Sequence, residues 1–170
     1  MLTNKLKPNQ LSDAYLGYYA SRFGPVTITM SGQQCIGCQF GWVNSPYPKH
    51  STPLAADLAE QIGQNMPLPL DLSLSPAGSA FQQNVWQALL SIPFGQTRSY
   101  QEIANQIKHP KAVRAVANAV AANPIAWFIP CHRVIRSNGQ IGGYAWGIAL
   151  KKQLLAAEKI EFEACRTKGI

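Results

Sequence analysis

Apolar positions change their period near residue 76 of this chain. Before it, "PVTITM" (25–30) alternates apolar and polar residues as a half-buried strand does, and "CIGCQFGWV" (35–43) reads as a second strand. One stretch has helical spacing, Leu54, Leu58 and Ile62 in "TPLAADLAEQI", with Thr52 placed to cap it and Pro53 suited to its first turn. Strands and one helix predict a small α/β or α+β unit. "NMPLPLDLSLSPAGSA" (65–80) then gathers proline, serine and glycine and marks a boundary near residue 76.

Beyond it the pattern turns helical. Ser79 and Gln82 form a capping box ahead of an apolar stripe, Phe81, Val85, Trp86, Leu89 and Leu90, that stops at "IPFG". A second box, Ser99 with Glu102, opens a helix carrying Ile103 and Ile107. "KHP" ends it, and Pro110 suits the first turn of a further helix, "KAVRAVANAVAAN", with Val113, Val116, Ala117 and Val120 inward. Two short helices across a three-residue turn predict a helix-turn-helix. "AWFI" (126–129) is a strand candidate and "GIALKKQLLAAEKI" a closing amphipathic helix, so the chain as a whole predicts an α+β fold of two domains, 1–75 and 76–170.

Charge sharpens that division. Residues 1–75 hold four basic and four acidic side chains, whereas residues 76–170 hold eleven against four, so the entire net +7 lies in the helical half. Such asymmetry suggests a polyanion-facing half, or simply a soluble basic domain. No stretch approaches the ~20 apolar residues that span a bilayer, and the N-terminus lacks a signal-like apolar core. A cytoplasmic protein, nuclear in a eukaryotic host, with free rather than paired cysteines is the expectation.

The outward face of the alanine-rich helix carries Arg114 and Asn118 with Ala115, Ala119 and Ala122 beside them, and Lys111 at its start. Small residues allow close approach to another surface, either DNA or the N-terminal unit. In "FIPCHRVI", Cys131 precedes His132 and Arg133, with Arg136 close by, and Pro130 implies a turn. A thiol reacts as thiolate and needs a base or a positive field; the plainer alternative is a surface turn. Glu158 falls on the apolar stripe with Leu154 and Leu155, while Lys151, Lys152 and Lys159 are free to face water. A buried carboxylate needs a partner, and His132 is the candidate, in a Glu–His–Cys relay that reaches the sulfur directly or through a water. Asn123, before Pro124, suits a helix cap or a brace for the turn. Cys35 and Cys38 have metal-ligand spacing, but with His50 the lone extra candidate they read better as apolar thiols on a strand, leaving no metal site.

"FQQNVWQALLSIPFGQTRSYQEIA", "PKAVRAVANAVAANP", "IPCHRVI" and "GGYAWG" through "LLAAE" resemble, in order and spacing, the C-terminal domain of the O6-alkylguanine-DNA alkyltransferases across residues 79–158. The first 75 residues resemble only loosely that family's ribonuclease-H-like first domain. The resemblance implies a winged-helix-like second domain and a suicide DNA-repair methyltransferase without a cofactor. Its partner is double-stranded DNA containing O6-alkylguanine, with O4-alkylthymine a further candidate, and no membrane or obligate protein partner is implied. Cys131 becomes the alkyl acceptor, His132 and Glu158 its activating pair, and Asn123 the hinge brace. Tyr100 presses the target phosphate and donates toward the leaving base, and Arg114 fills the gap left by a flipped nucleotide. Val134, Tyr144, Ala145 and Trp146 form the base pocket, and docking is through the minor groove. Ala117 and Ala121 replace glycines common in relatives, and Trp146 stands where many read glycine. A thiol hydrolase using the same Cys–His–acid set, and a non-catalytic lesion binder, are the competing readings.

Overall fold

A computed structural model describes residues 14–42, 52–62, 64 and 72–160. The N-terminal segment, His50 and the fourth cysteine, Cys165, lie outside the described residues. Three antiparallel strands, β1 (Ala14–Ser21), β2 (Gly24–Ser31) and β3 (Gln34–Phe40), are joined by tight turns, and a short β4 (Ser73–Leu74) adds in parallel to β3. The first strand, "AYLGYYAS", has no clean alternation and is not among the predicted strands. Val26, Thr27, Ile28, Thr29 and Met30 are all buried, so the central strand is covered more fully than its alternation implies. Thr27 is satisfied there by donating its hydroxyl to the Gly41 carbonyl at 2.8 Å. Helix α1 (Pro53–Gln61) packs on β1 and β2, begun by Thr52 and Pro53 as expected.

The second half holds α2 (Ala80–Leu90), β5 (Arg98–Ser99), α3 (Tyr100–Gln106), α4 (Val113–Ala121), a 3₁₀ turn (Cys131–Arg133), β6 (Val134–Ile135) and α5 (Ile148–Ala157). Both capping boxes form, with side chain and backbone exchanging bonds at Ser79/Gln82 and Ser99/Glu102. Strands β5 and β6 pair in parallel and bring the start of α3 beside the residues that follow Arg133.

Several details differ from the pattern-based expectations. The α3–α4 connection runs from 107 to 112 rather than three residues, because Pro110 sits in a turn and α4 begins only at Val113. Leu90 is exposed and Ala88 takes its inward place on α2. "AWFI" is not a strand: Ala126 and Trp127 lie in turns, and the pairing nearby is a single parallel bridge of Ile125 with Cys38. That bridge is cemented by Cys38 N–H to the Pro124 carbonyl at 2.9 Å and Ala126 N–H to the Cys38 carbonyl at 2.8 Å. One continuous buried cluster therefore runs from the first sheet through the 125–131 segment into the helices.

Trp86 anchors the helical half. Its ring is buried, a Cβ at Gly78 would lie 2.5 Å from it, and its indole N–H donates to the Ala119 carbonyl at 2.8 Å. Trp86→Phe should destabilise the protein by about 2 kcal/mol, since the Ala119 carbonyl keeps only the longer 3.2 Å bond from Ala122 N–H and the smaller ring leaves the site underfilled, read as a lowered urea midpoint with an unchanged slope.

Candidate active site

The turn at Cys131 is held from both ends. Asn123, just past α4, donates its side-chain amide to the Ile129 carbonyl at 2.8 Å and the Ile125 carbonyl at 3.4 Å, and accepts from Ile125 N–H at 3.0 Å. The Pro130 carbonyl accepts from Arg133 N–H at 3.0 Å, closing a 3₁₀ turn. About three residues per turn fan successive side chains apart, so Cys131, His132 and Arg133 face different neighbours.

His132 and Arg133 nevertheless meet on one carboxylate. Glu158 is buried at the end of α5; its Oε1 lies 2.7 Å from His132 Nε2. Arg133 donates Nε to both carboxylate oxygens at 3.1 and 2.9 Å and Nη2 to Oε1 at 3.0 Å, and Gly95 N–H adds a bond at 3.1 Å. The second Arg133 amino group donates to the Ile92 carbonyl at 2.7 Å. Burial alone pushes the Glu158 carboxyl up, but the hydrogen bonds from His132, Arg133 and the Gly95 amide outweigh it and hold the group below the ordinary range. The His–Glu pair was expected from the sequence; the bidentate Arg133 was not.

Cys131 and His132 shift in opposite directions. Burial pushes the Cys131 thiol up, against the nearby Asn123 and Tyr144 side chains, the Lys151 charge and the residue's own amide. Burial pushes His132 down, against its bond to Glu158 and that carboxylate's charge, with the Arg133 and Lys151 charges adding to the depression. The resting pair is a neutral thiol beside a neutral imidazole whose Nδ1 has no partner among the described residues.

Lys151 corrects the expectation that it faces water. It lies on the same face of α5 as Leu154, Leu155 and Glu158 and is wholly buried, while Lys152 and Lys159 are exposed. Its Nζ donates to the Val134 carbonyl at 2.6 Å and the Gly143 carbonyl at 3.3 Å. Burial lowers its pKa to about 8, opposed by Cys131.

Cys131 opens onto a cavity of about 480 Å³, within the range of small-molecule sites. One wall is Tyr100, Ala117, Asn118, Val120 and Ala121; the other is Arg136 with Gly143, Tyr144, Ala145 and Trp146. Three of the four expected pocket residues line it. Val134 does not: it is buried, and its carbonyl is occupied by Lys151. Arg136 and Asn118, singled out in the sequence for other roles, and Gly143 with the remaining α4 residues were not expected in the lining, since a wall made by two distant segments has no local signature. Trp146 is wedged edge-on against Phe40 of β3 at 5.9 Å and tilted against Tyr144 at 5.3 Å. Burial raises the Tyr100 hydroxyl above its ordinary value, with Cys131 adding and Arg136 opposing, so it stays a donor.

On α4, Arg114, Ala115 and Asn118 are exposed, as is Lys111 before it. Ala119 departs from its expected place: it is buried against α2, where its carbonyl receives Trp86. Ala121 is exposed in its stead, and Ala117, expected inward, lines the cavity. Among the described residues no three His, Cys, Asp or Glu side chains converge on a point, and no helix is long and apolar enough to cross a membrane. Cys35 and Cys38 are free and buried.

Residues 80–160 match the family model described as the 6-O-methylguanine DNA methyltransferase DNA-binding domain. A methylated-DNA–protein-cysteine methyltransferase of Methanosarcina acetivorans is 38% identical over 157 residues, covering 85% of this chain and 97% of that one. The bifunctional transcriptional activator/DNA repair enzyme Ada of Escherichia coli is 60% identical over 90 residues, 53% of this chain; the match spans only 25% of Ada's own length. In structure, the chain is similar to Mycobacterium tuberculosis OGT in a complex with DNA, with a TM-score of 0.78, 38% identity, and coverage of 85% of this chain and 92% of that one.

Two consequences of the buried carboxylate are measurable. Glu158→Gln should destabilise the fold by about 3 kcal/mol in urea titration, because Arg133 and His132 lose the charge that compensates their burial. The wild type should lose stability as pH falls below about 6.5, where an unfolded histidine gains a proton that buried His132 resists, and more steeply below about 4.5, where an unfolded glutamate gains a proton that ionised Glu158 resists. In Glu158→Gln the lower part of that acid slope should flatten.

Proposed function

The chain belongs to the methylated-DNA–protein-cysteine methyltransferase family, and on that footing we propose that it repairs DNA directly, moving the alkyl group of O6-alkylguanine once and irreversibly onto its own Cys131. The observation that carries this reading is the opening of Cys131 onto a base-sized cavity beside α4, with the His132–Glu158 pair behind it.

The thiol proton passes to His132 Nδ1, directly or through one water, and Glu158, held ionised by Arg133, offsets the imidazolium charge. The sulfur attacks the alkyl carbon opposite O6. The carbon–oxygen bond breaks, its electrons enter the guanine ring, and the proton shed by the thiol ends on the base, toward which Tyr100 donates. A thioether remains, so each molecule acts once and no cofactor is needed.

An alkyl carbon inside stacked duplex DNA is beyond reach of a buried sulfur, which makes extrusion of the nucleotide a physical requirement. Exposed Arg114 fills the gap left behind, Lys111 neutralises phosphate, and Ala115, Asn118 and Ala121 let α4 seat closely in the minor groove. Double-stranded DNA carrying the lesion is the partner, and the cytoplasm or a nucleus the compartment. A division into a ribonuclease-H-like domain at 1–75 and a winged-helix-like domain at 76–170 is supported by the β1–β3 meander followed by α1, and by α3 and α4 standing beside the β5–β6 pair.

Incubation with a duplex containing O6-methylguanine should raise the intact mass by one methyl group, and Cys131→Ala should abolish the gain. Repeated turnover of an activated ester by Cys131 would instead assign the site to acyl transfer. Because Trp146, backed by Phe40 and packed against Tyr144, takes up space in the cavity, O6-benzylguanine should react more slowly than O6-methylguanine, and Trp146→Gly should close that gap in single-turnover assays. Equal rates for both substrates in the wild type would refute the steric role.

A further inference from the structure

Trp127 is a bulky residue with φ of 68°, in the left-handed region that such side chains rarely occupy. Its segment is fixed on both sides, by Asn123 bonds to Ile125 and Ile129 and by the Cys38 bonds to Pro124 and Ala126. The indole lies flat on the His132 imidazole, with ring centroids 5.2 Å apart and planes within 4°. Phe23, at the tip of the β1–β2 hairpin, supports Trp127 with its centroid 5.9 Å from the indole.

The charges around His132 are unbalanced for a base that must become a cation. Glu158 faces it from α5, but Arg133 already binds both oxygens of that carboxylate. Arg133 and Lys151 are both cationic and disfavour an imidazolium, and Cys131 is neutral until it gives up its proton. An aromatic face is attractive to a cation and strongest when water is excluded. His132 is wholly buried and Trp127 nearly so.

We propose that Trp127 is a positioning residue for His132, its indole fixing the imidazole plane and stabilising the imidazolium formed as Cys131 is deprotonated, with Phe23 of the first sheet holding the indole in place. The proposal rests on the Cys131 reaction argued above, but its central observable does not. Removing the aromatic face without adding water lowers the basicity of His132, whereas a purely space-filling role predicts the opposite, because a cavity that admits water relieves burial and raises it.

The experiment compares wild type, Trp127→Phe and Trp127→Leu. Imidazole nitrogen shifts of His132 are followed against pH by NMR, and single-turnover alkylation by O6-methylguanine duplex is measured across the same range. Trp127→Leu should titrate His132 at lower pH and slow transfer by roughly tenfold, while Trp127→Phe stays near wild type in both. Urea midpoints identify any loss due to unfolding. A His132 titration in Trp127→Leu that is unmoved or raised overturns the proposal, whatever the transfer rate. Wild-type protein that titrates as expected but transfers no alkyl group overturns the alkyl-transfer reading and leaves the Trp127–His132 interaction standing.

Discussion

Glu158 is a carboxylate with no route to water, and the satisfaction of that one charge organises the reactive end of the molecule. His132, Arg133 and the Gly95 amide all converge on it, from the 3₁₀ turn and from the loop after α2. Removing a charge from water costs several kcal/mol unless donors replace the solvent. The donors here come from two segments far apart in sequence, so the same bonds that neutralise Glu158 also lock the turn carrying Cys131 against the last helix. The carboxylate is ionised, the imidazole oriented, and the thiol placed on the cavity wall by one network.

Burial has opposite effects on Cys131 and His132. It holds the proton on the Cys131 sulfur and keeps it off the His132 nitrogen. A thiol held in this way rests in its neutral form, the less nucleophilic one. Lys151 supplies a nearby positive field while its ammonium is tied to two backbone carbonyls. Those carbonyls belong to Val134 and Gly143, one on the strand after Arg133 and one on the pocket wall, so a single buried ammonium joins the strand to the rim.

The first sheet is more than a neighbour. Cys38 bonds to the segment leading into Cys131, Phe40 backs Trp146 at the rim, and Phe23 backs Trp127 over His132. The sheet shares one buried cluster with the helical half. Cys35 and Cys38 are explained by that packing: both thiols sit in the core, and burial drives Cys35 up to about 12 and Cys38 well above its ordinary value.

Local chemistry was legible in the sequence wherever it acts within a few residues. Capping boxes announced α2 and α3, Thr52 and Pro53 announced α1, and Pro130 announced the turn, because each is a contact between near neighbours. Glu158 on an apolar stripe announced a buried acid and its need for a partner. Lys151 stands on that same stripe, three residues before Leu154, and the identical argument would have found it. Tertiary structure decided what no local period encodes: Arg133 sharing the carboxylate, Ala119 turned into the core to receive Trp86, "AWFI" folded into turns, and β3 placing Phe40 behind Trp146. In each case the deciding contact joins residues remote in the chain, and its free energy exists only once packing has brought them together.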